Sequence, residues 1–322
     1  MIAPSAAEAA FRAAAKERIL VKDGPYGTAI QKLGLQESDY RGKLTVNHDQ
    51  KGNNDILNLT LPEAIAGVGR SYIESGADLL ATNTFNANRI SQADYGTEGL
   101  VREINLAAAR ILRAEADAAT ARDGKPRFVA GALGPTNKTL SLSPRVEDPG
   151  FREVDFDGVK AVYREQIEAL LDGGVDFILI ETVFDTLNAK AAAFAAMEAE
   201  EARGTRVPVM ISMTLTDLAG RNLSGQTVEA FWVSVAHVRP LTIGLNCSFG
   251  ATELRPHVQI LAQQADTLLM VYPNAGLPNA FGGYDELPET TGRLIHDWAE
   301  AGLINVVGGC CGTTPAHIAA MA

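Results

Sequence analysis

Three cysteines carry the chemistry open to this sequence. Cys310 and Cys311 stand side by side in the stretch Ile304 to Pro315, which reads Ile-Asn-Val-Val-Gly-Gly-Cys-Cys-Gly-Thr-Thr-Pro, and Cys247 stands in Ile-Gly-Leu-Asn-Cys-Ser-Phe-Gly, from Ile243 to Gly250. Each site follows a short apolar run of the kind that makes a buried parallel strand, and glycine comes soon after. Parallel α/β proteins place their chemistry just past such strand ends. Cysteines packed as small hydrophobes are the plain alternative, but Gly-Gly-Cys-Cys-Gly packs a core poorly. A disulfide framework fits no better, because adjacent cysteines join only with strained geometry and the count is odd. The sharper expectation is a catalytic zinc site, with three thiolates from the protein and one position left open. The familiar Cys-x-x-Cys spacing is absent, so what counts is placement on two strand ends that a barrel would bring together.

Three thiolates donate heavily to zinc and make it a poor activator of water. Such a zinc still takes a substrate thiol, whose proton is lost on coordination, and leaves that sulfur nucleophilic. The cysteines therefore favour alkylation of a thiol over hydrolysis. Other strand ends offer groups to hold whatever carries the thiol: Glu181 and Asp23 for an ammonium, and the backbone amides around Gly24 and from Thr82 to Thr84 for a carboxylate. Each has an ordinary role as well. Glu181 suits pairing with a neighbouring cation, Asp23 an Asx turn, and Asn83 and Asn246 the fixing of loop backbones. The five histidines form no metal-binding pair and read as surface or helix-end residues, with His317 alone close enough to the cysteine pair to support it. Lys22 is the nearest strand-end lysine for Schiff-base chemistry, the weakest of the readings.

These residues need a scaffold that gathers distant strand ends. Short apolar runs end at Lys22, Thr82, Leu133, Ile180, Thr214, Asn246, Tyr272 and Val307, and helical stretches alternate with them. About eight strand-helix units without a composition break predict one α/β unit over 1–322, closed as an eight-fold β/α barrel. Ser5 and Glu8 have capping-box spacing, so a flanking helix is expected from Ser5 to about Arg18. The stretch 76–85 echoes 174–183, which sets Asn83-Thr84 and Glu181-Thr182 at one height. Residues 32–60, 134–155 and 273–286 read as long loops on the cysteine-bearing face. No dinucleotide fingerprint follows the first strand.

A net charge of -11 removes the electrostatic attraction that nucleic acid or an anionic membrane would need. No apolar run of about 20 residues suggests a membrane span, and the first residues lack the form of a secretion signal. Three free thiols suit a reducing compartment, so the expected location is the cytoplasm.

Taken together, the motifs resemble a known family. Asp23-Gly24-Pro25-Tyr26-Gly27-Thr28, Lys51 to Asp55 (Lys-Gly-Asn-Asn-Asp), Thr82 to Asn86, Glu181-Thr182, Asn246-Cys247, Tyr272 to Pro278 and Gly308 to Pro315 are similar, nearly end to end, to the homocysteine-binding domains of cobalamin-dependent methionine synthases. The resemblance implies zinc on Cys247, Cys310 and Cys311, with homocysteine sulfur as the exchangeable ligand. It further implies a substrate pocket built from Asp23, Gly24, Thr82, Asn83, Glu181 and Asn246, and methyl transfer from methylcobalamin to give methionine. Because Ala322 is followed by neither a folate nor a cobalamin module, the cofactor is expected on a separate module or subunit. S-methylmethionine or betaine is the alternative donor. It would want an aromatic cage, to which Tyr26, Phe85, Phe281 and Tyr284 could contribute. A zinc- or thiol-binding module without turnover is the remaining alternative. The family often has Asp-Gly-Ala-Met-Gly where this chain has Asp-Gly-Pro-Tyr-Gly, which alters the contacts of the first loop.

Overall fold

A computed structural model describes residues 3–322 and contains a sheet of eight parallel strands. They are β1 (Leu20–Val21), β2 (Leu79–Ala81), β3 (Phe128–Leu133), β4 (Phe177–Val183), β5 (Val209–Met213), β6 (Thr242–Asn246), β7 (Leu268–Tyr272) and β8 (Val306–Val307). Nearly every strand residue is buried, which is why the runs are continuously apolar and do not alternate. The order β1-β8-β7-β6-β5-β4-β3-β2 brings the first strand beside the last. A parallel bridge between Lys22 and Leu79 then draws β1 to β2. Backbone hydrogen bonds from Asp78 N to Val21 O (2.6 Å) and from Asp23 N to Leu79 O (2.8 Å) fasten that seam. The result is the expected (β/α)8 barrel.

Its interior is filled by Leu20, Leu79, Phe128, Phe177, Met210, Met270 and Val306, while a second apolar layer lies between strands and helices. At the N-terminal end of the strands the helix Ala6–Glu17 closes the barrel. Its Phe11 is fully buried, edge-on to Phe128 and Phe177 with ring centroids 5.2 Å away in each case. Ser5 caps this helix by accepting from Glu8 N at 3.1 Å. The capping box itself is not made: the Glu8 carboxylate turns to Arg12, one helical turn on, at 3.0 Å.

The segment 32–60 departs from expectation. It holds the short helices Glu37–Arg41 and Leu57–Thr60 and a 3-10 turn at Asn54–Ile56, all too short to show a helical period. The motif after β1 opens a helix, Tyr26–Gln31, and the chain ends in another, Pro315–Met321. His317 is a helix-end residue, as expected, but a buried one. It lies in the first turn of the last helix, bonding Thr314 Oγ1 at 2.8 Å and Glu286 O at 2.9 Å, and so ties the loop after β7 to that helix. Both ring nitrogens are thereby engaged away from the sulfurs.

Candidate metal centre and active site

The strand ends of β6 and β8 bring the three cysteines together. Their sulfurs all lie within 4.8 Å of one another, with Cys247 and Cys311 at 3.8 Å. Tetrahedral zinc with Zn–S bonds of ~2.3 Å separates its sulfurs by about 3.8 Å, so the spacing fits that ion. The loop after β7 fixes the cluster by standing between the two cysteine segments. Cys247 N donates to Tyr272 O (3.3 Å), Cys310 N to Pro273 O (2.8 Å), and Ala275 N to Cys311 O (3.0 Å). Cys247 and Ser248 both adopt left-handed backbone, φ 63° and 60°. Two successive non-glycine residues in that region are held against a local cost, here by the bonds just described and by Ser248 Oγ to Thr214 Oγ1 at 2.8 Å. Gly309 precedes the pair because a Cβ there would fall 2.1 Å from Thr313 Oγ1, which itself donates to Cys310 O at 2.7 Å.

The sulfurs also fit a cation by their acid-base behaviour. Hydrogen bonds from Cys247 and Cys310 pull the Cys311 thiol down to about 3, despite its burial. Cys310 is pushed well up, by its bonds to Cys247 and Cys311 and then by burial. At Cys247 a bond from Cys310 acts downward, but the bond to Cys311 and burial outweigh it and take the thiol up to about 11. One sulfur ionises easily and its charge resists the ionisation of the others, so three thiolates need a metal among them.

Beside the sulfurs opens a cavity of about 250 Å³ at the C-terminal mouth of the barrel, walled in part by Lys22, Gly24, Asp55, Glu181 and Tyr272. Glu181 reaches it through an irregularity in β4: register with β5 shifts between Ile180 and Val183, and Thr182 takes φ 58°. A β-branched residue seldom sits there. Asn246 holds it, with its Oδ1 accepting from Thr182 N (3.1 Å) and Ser212 Oγ (2.7 Å) and its Nδ2 donating to Thr182 Oγ1 (2.9 Å). Nδ2 also approaches Cys310 Sγ at 3.9 Å. Asn246 thus links the sulfur cluster to the kink that aims Glu181. Tyr272 Oη donates to the Glu181 carboxylate at 3.0 Å. Burial pushes that carboxyl up, against the opposing pull of Lys22 and the tyrosine.

The first loop is arranged differently from the expectation for Asp23. Its carboxylate is fully buried and does not line the cavity, being bound by Lys22 Nζ at 2.8 Å and Ala81 N at 2.9 Å. Lys22 lines the cavity in its place. The Thr82 and Thr84 amides are also engaged, donating to Ala130 O and Thr82 O, both at 2.9 Å. Thr82 Oγ1 accepts from Ala132 N, and Asn83 Nδ2 donates to Asn54 O at 2.8 Å, so both side chains fix loops while bordering the cavity. Gly24 lies against the Tyr72 ring, 2.7 Å from where a Cβ would be.

Comparison with known proteins decides the family. The sequence model described as homocysteine S-methyltransferase matches residues 20–322. The chain belongs to that family. Among solved structures, the homocysteine methyltransferase MmuM from Escherichia coli in its metallated form is 25% identical, with 97% of this chain and 98% of that chain covered and a TM-score of 0.75. The oxidised form of MmuM is 24% identical over 94% of each chain with a TM-score of 0.73, and the apo form shares the fold as well, at 0.69. Membership of the homocysteine S-methyltransferases makes the protein a methyltransferase enzyme.

Within that family setting, the structure adds residues the sequence reading passed over. Asp55 is a buried carboxyl at the cavity wall, accepting from Asn86 N at 2.9 Å, and burial pushes it up to about 7. Tyr272, the last residue of β7, reads only as strand until its partner Glu181 is in place. Lys22 had a visible signal, a lysine ending an apolar strand. Burial acts to lower its ammonium, but Asp23, Glu181 and Cys310 outweigh that and hold it above its usual value, which opposes Schiff-base chemistry.

Proposed function

We propose that this enzyme methylates the sulfur of homocysteine, giving methionine, with zinc held by Cys247, Cys310 and Cys311 and with methylcobalamin on a separate module or subunit as donor. The observation that carries the reading is the convergence of three sulfurs beside a cavity that also holds a carboxylate for an amino-acid ammonium. Bound zinc would supply the charge that lets a substrate thiol lose its proton near neutral pH while the sulfur stays nucleophilic. Glu181, kept in place by Tyr272 and the Asn246 clamp, pairs with the substrate ammonium. Gly24, packed against the Tyr72 ring, contributes its backbone to the cavity wall at the first loop. Thr82 and Asn83 brace the facing wall. In the transfer the substrate sulfur supplies the electron pair of the new S–CH3 bond, and the donor keeps the pair of the bond that breaks.

The cobalamin donor is supported by the Lys-Gly-Asn-Asn-Asp and Pro-Asn-Ala-Gly-Leu-Pro segments. They supply Asn54 and Asp55 to the cavity wall and Pro273 and Ala275 to the cysteine clamp. Of the four aromatics that could cage a sulfonium or ammonium donor, Tyr26 and Phe85 line the cavity and Tyr284 packs against Gly312 beside the cysteine pair, while Phe281 is 98% exposed and stands apart, so S-methylmethionine or betaine remains the second reading. The test is methionine formation from homocysteine by the zinc-loaded protein, supplied in turn with methylcobalamin on a cobalamin-binding protein, S-methylmethionine and betaine. Turnover with the first is expected. Turnover with S-methylmethionine and none with methylcobalamin would overturn the donor, and zinc binding without turnover on any donor would overturn the enzyme reading.

A further inference from the structure

In the proposed reaction the substrate sulfur meets the three sulfurs of the protein, and the methyl group must reach only the substrate. Burial does not protect the protein's own sulfurs, since Cys247, Cys310 and Cys311 are all partly exposed. Each of them, however, meets a hydrogen-bond donor from outside the cluster. Asn246 Nδ2 approaches Cys310 Sγ at 3.9 Å. In the left-handed turn at Cys247 the donor is the Ser248 amide. At Cys311 it is the Tyr284 hydroxyl. Bonds among the thiols themselves are lost when a metal displaces their protons, whereas these three donors keep theirs.

Tyr284 is fixed from several directions. It pairs with Pro278 across a hairpin whose turn is held by Asn279, which accepts from Phe281 N and Gly283 N, both at 2.9 Å, and donates to Asp285. Just beyond it, Glu286 is tied to His317 and Thr291. Gly312, directly after Cys311, has φ 81°, and a Cβ there would run into Tyr284 Cβ and Cγ. Glycine at that position is what lets the tyrosine lie so close to the cysteine pair.

We propose that Tyr284 directs the methyl group to the substrate by hydrogen-bonding the Cys311 thiolate, which withdraws electron density from that sulfur and keeps it from competing as a nucleophile. This rests on the zinc-thiolate reading and deepens it. In the competing reaction a lone pair of Cys311 Sγ forms the S–CH3 bond, and the leaving group takes the pair of the bond that breaks. A thiolate ligand then becomes a neutral thioether, outside the usual ligand set of zinc. Tyr284 touches a metal ligand and not the reacting atoms, so it is a positioning residue. A hydrogen bond to a charged acceptor accounts for roughly a 10-fold restraint.

The test exposes the zinc-loaded full chain to methyl methanesulfonate without homocysteine and follows S-methylation of each cysteine by peptide mass spectrometry, a readout independent of turnover. Tyr284→Phe keeps the ring and removes the donor. Cys311 is then expected to be methylated about 10-fold faster than in the unaltered protein, with Cys247 changing less than about twofold. An unchanged rate at Cys311, with zinc content intact, would overturn the assignment. So would an equal rise at Cys247, which marks a loosened cluster and not a lost hydrogen bond. Should Tyr284→Phe fail to hold zinc, fluorotyrosine at position 284, a stronger donor, decides: slower methylation of Cys311 supports the assignment, and an unaltered rate overturns it. Absence of zinc from the unaltered protein after loading would instead remove the metal reading, and this inference with it.

Discussion

In the proposed zinc site Cys247 is the decisive residue, because it comes from a different strand than Cys310 and Cys311 and closes the set of three sulfurs. Cys247→Ala leaves two adjacent sulfurs and no third, so zinc content under reducing conditions is expected to fall from about one per chain to well under half. Elemental analysis of the purified variants checks this. Asp55 governs a different property. Its carboxyl rises from 3.8 to about 7 on folding because burial disfavours the charge. The folded state therefore holds its proton longer than the unfolded chain does. Stability from this group is full below the unfolded value and is lost as pH rises through about 7. Asp55→Asn keeps an acceptor for Asn86 N and removes the titration, so the fall in melting temperature between about pH 5 and about pH 8 should shrink. The cysteines were legible in the sequence because glycine-flanked cysteine pairs have few structural uses. Asp55 was not, because its significance depends on what buries it.

The element that matters most is the end of β4, where the chain leaves its register to present Glu181. Nothing in Glu-Thr-Val announces that Thr182 takes a left-handed backbone, since β-branched residues avoid it, and the clamp comes from Asn246 on β6. Asn246→Ala removes both bonds to Thr182 and the one to Ser212, and should cost ~1–3 kcal/mol of stability. With the kink released, the KM for homocysteine should rise more than 10-fold, by about as much as the displaced Glu181 contributes to binding. Steady-state kinetics alongside thermal denaturation separates this from a purely structural loss, which would lower active fraction without moving KM. Strands were easy to foresee because each is a dense apolar run between helical stretches with their own periodicity. The short helices within 32–60 and at the C-terminus escaped because four to seven residues carry less than two turns of pattern.

For the whole molecule, the barrel separates stability from chemistry along its axis. Phe11 and its aromatic neighbours occupy one end, and the sulfurs and Glu181 the other. Phe11→Ala should therefore cost ~3–5 kcal/mol of stability and leave zinc content unchanged, as denaturant titration and metal analysis would show. Closure itself was readable from the count of strand-helix units. The seam at Lys22 was not, since β1 is only two residues long and its pairing with β2 rests on one bridge. Plugging the far end also governs traffic. In the proposed reaction, the incoming thiol and the outgoing thioether would then cross the same threshold, the mouth that carries the sulfurs.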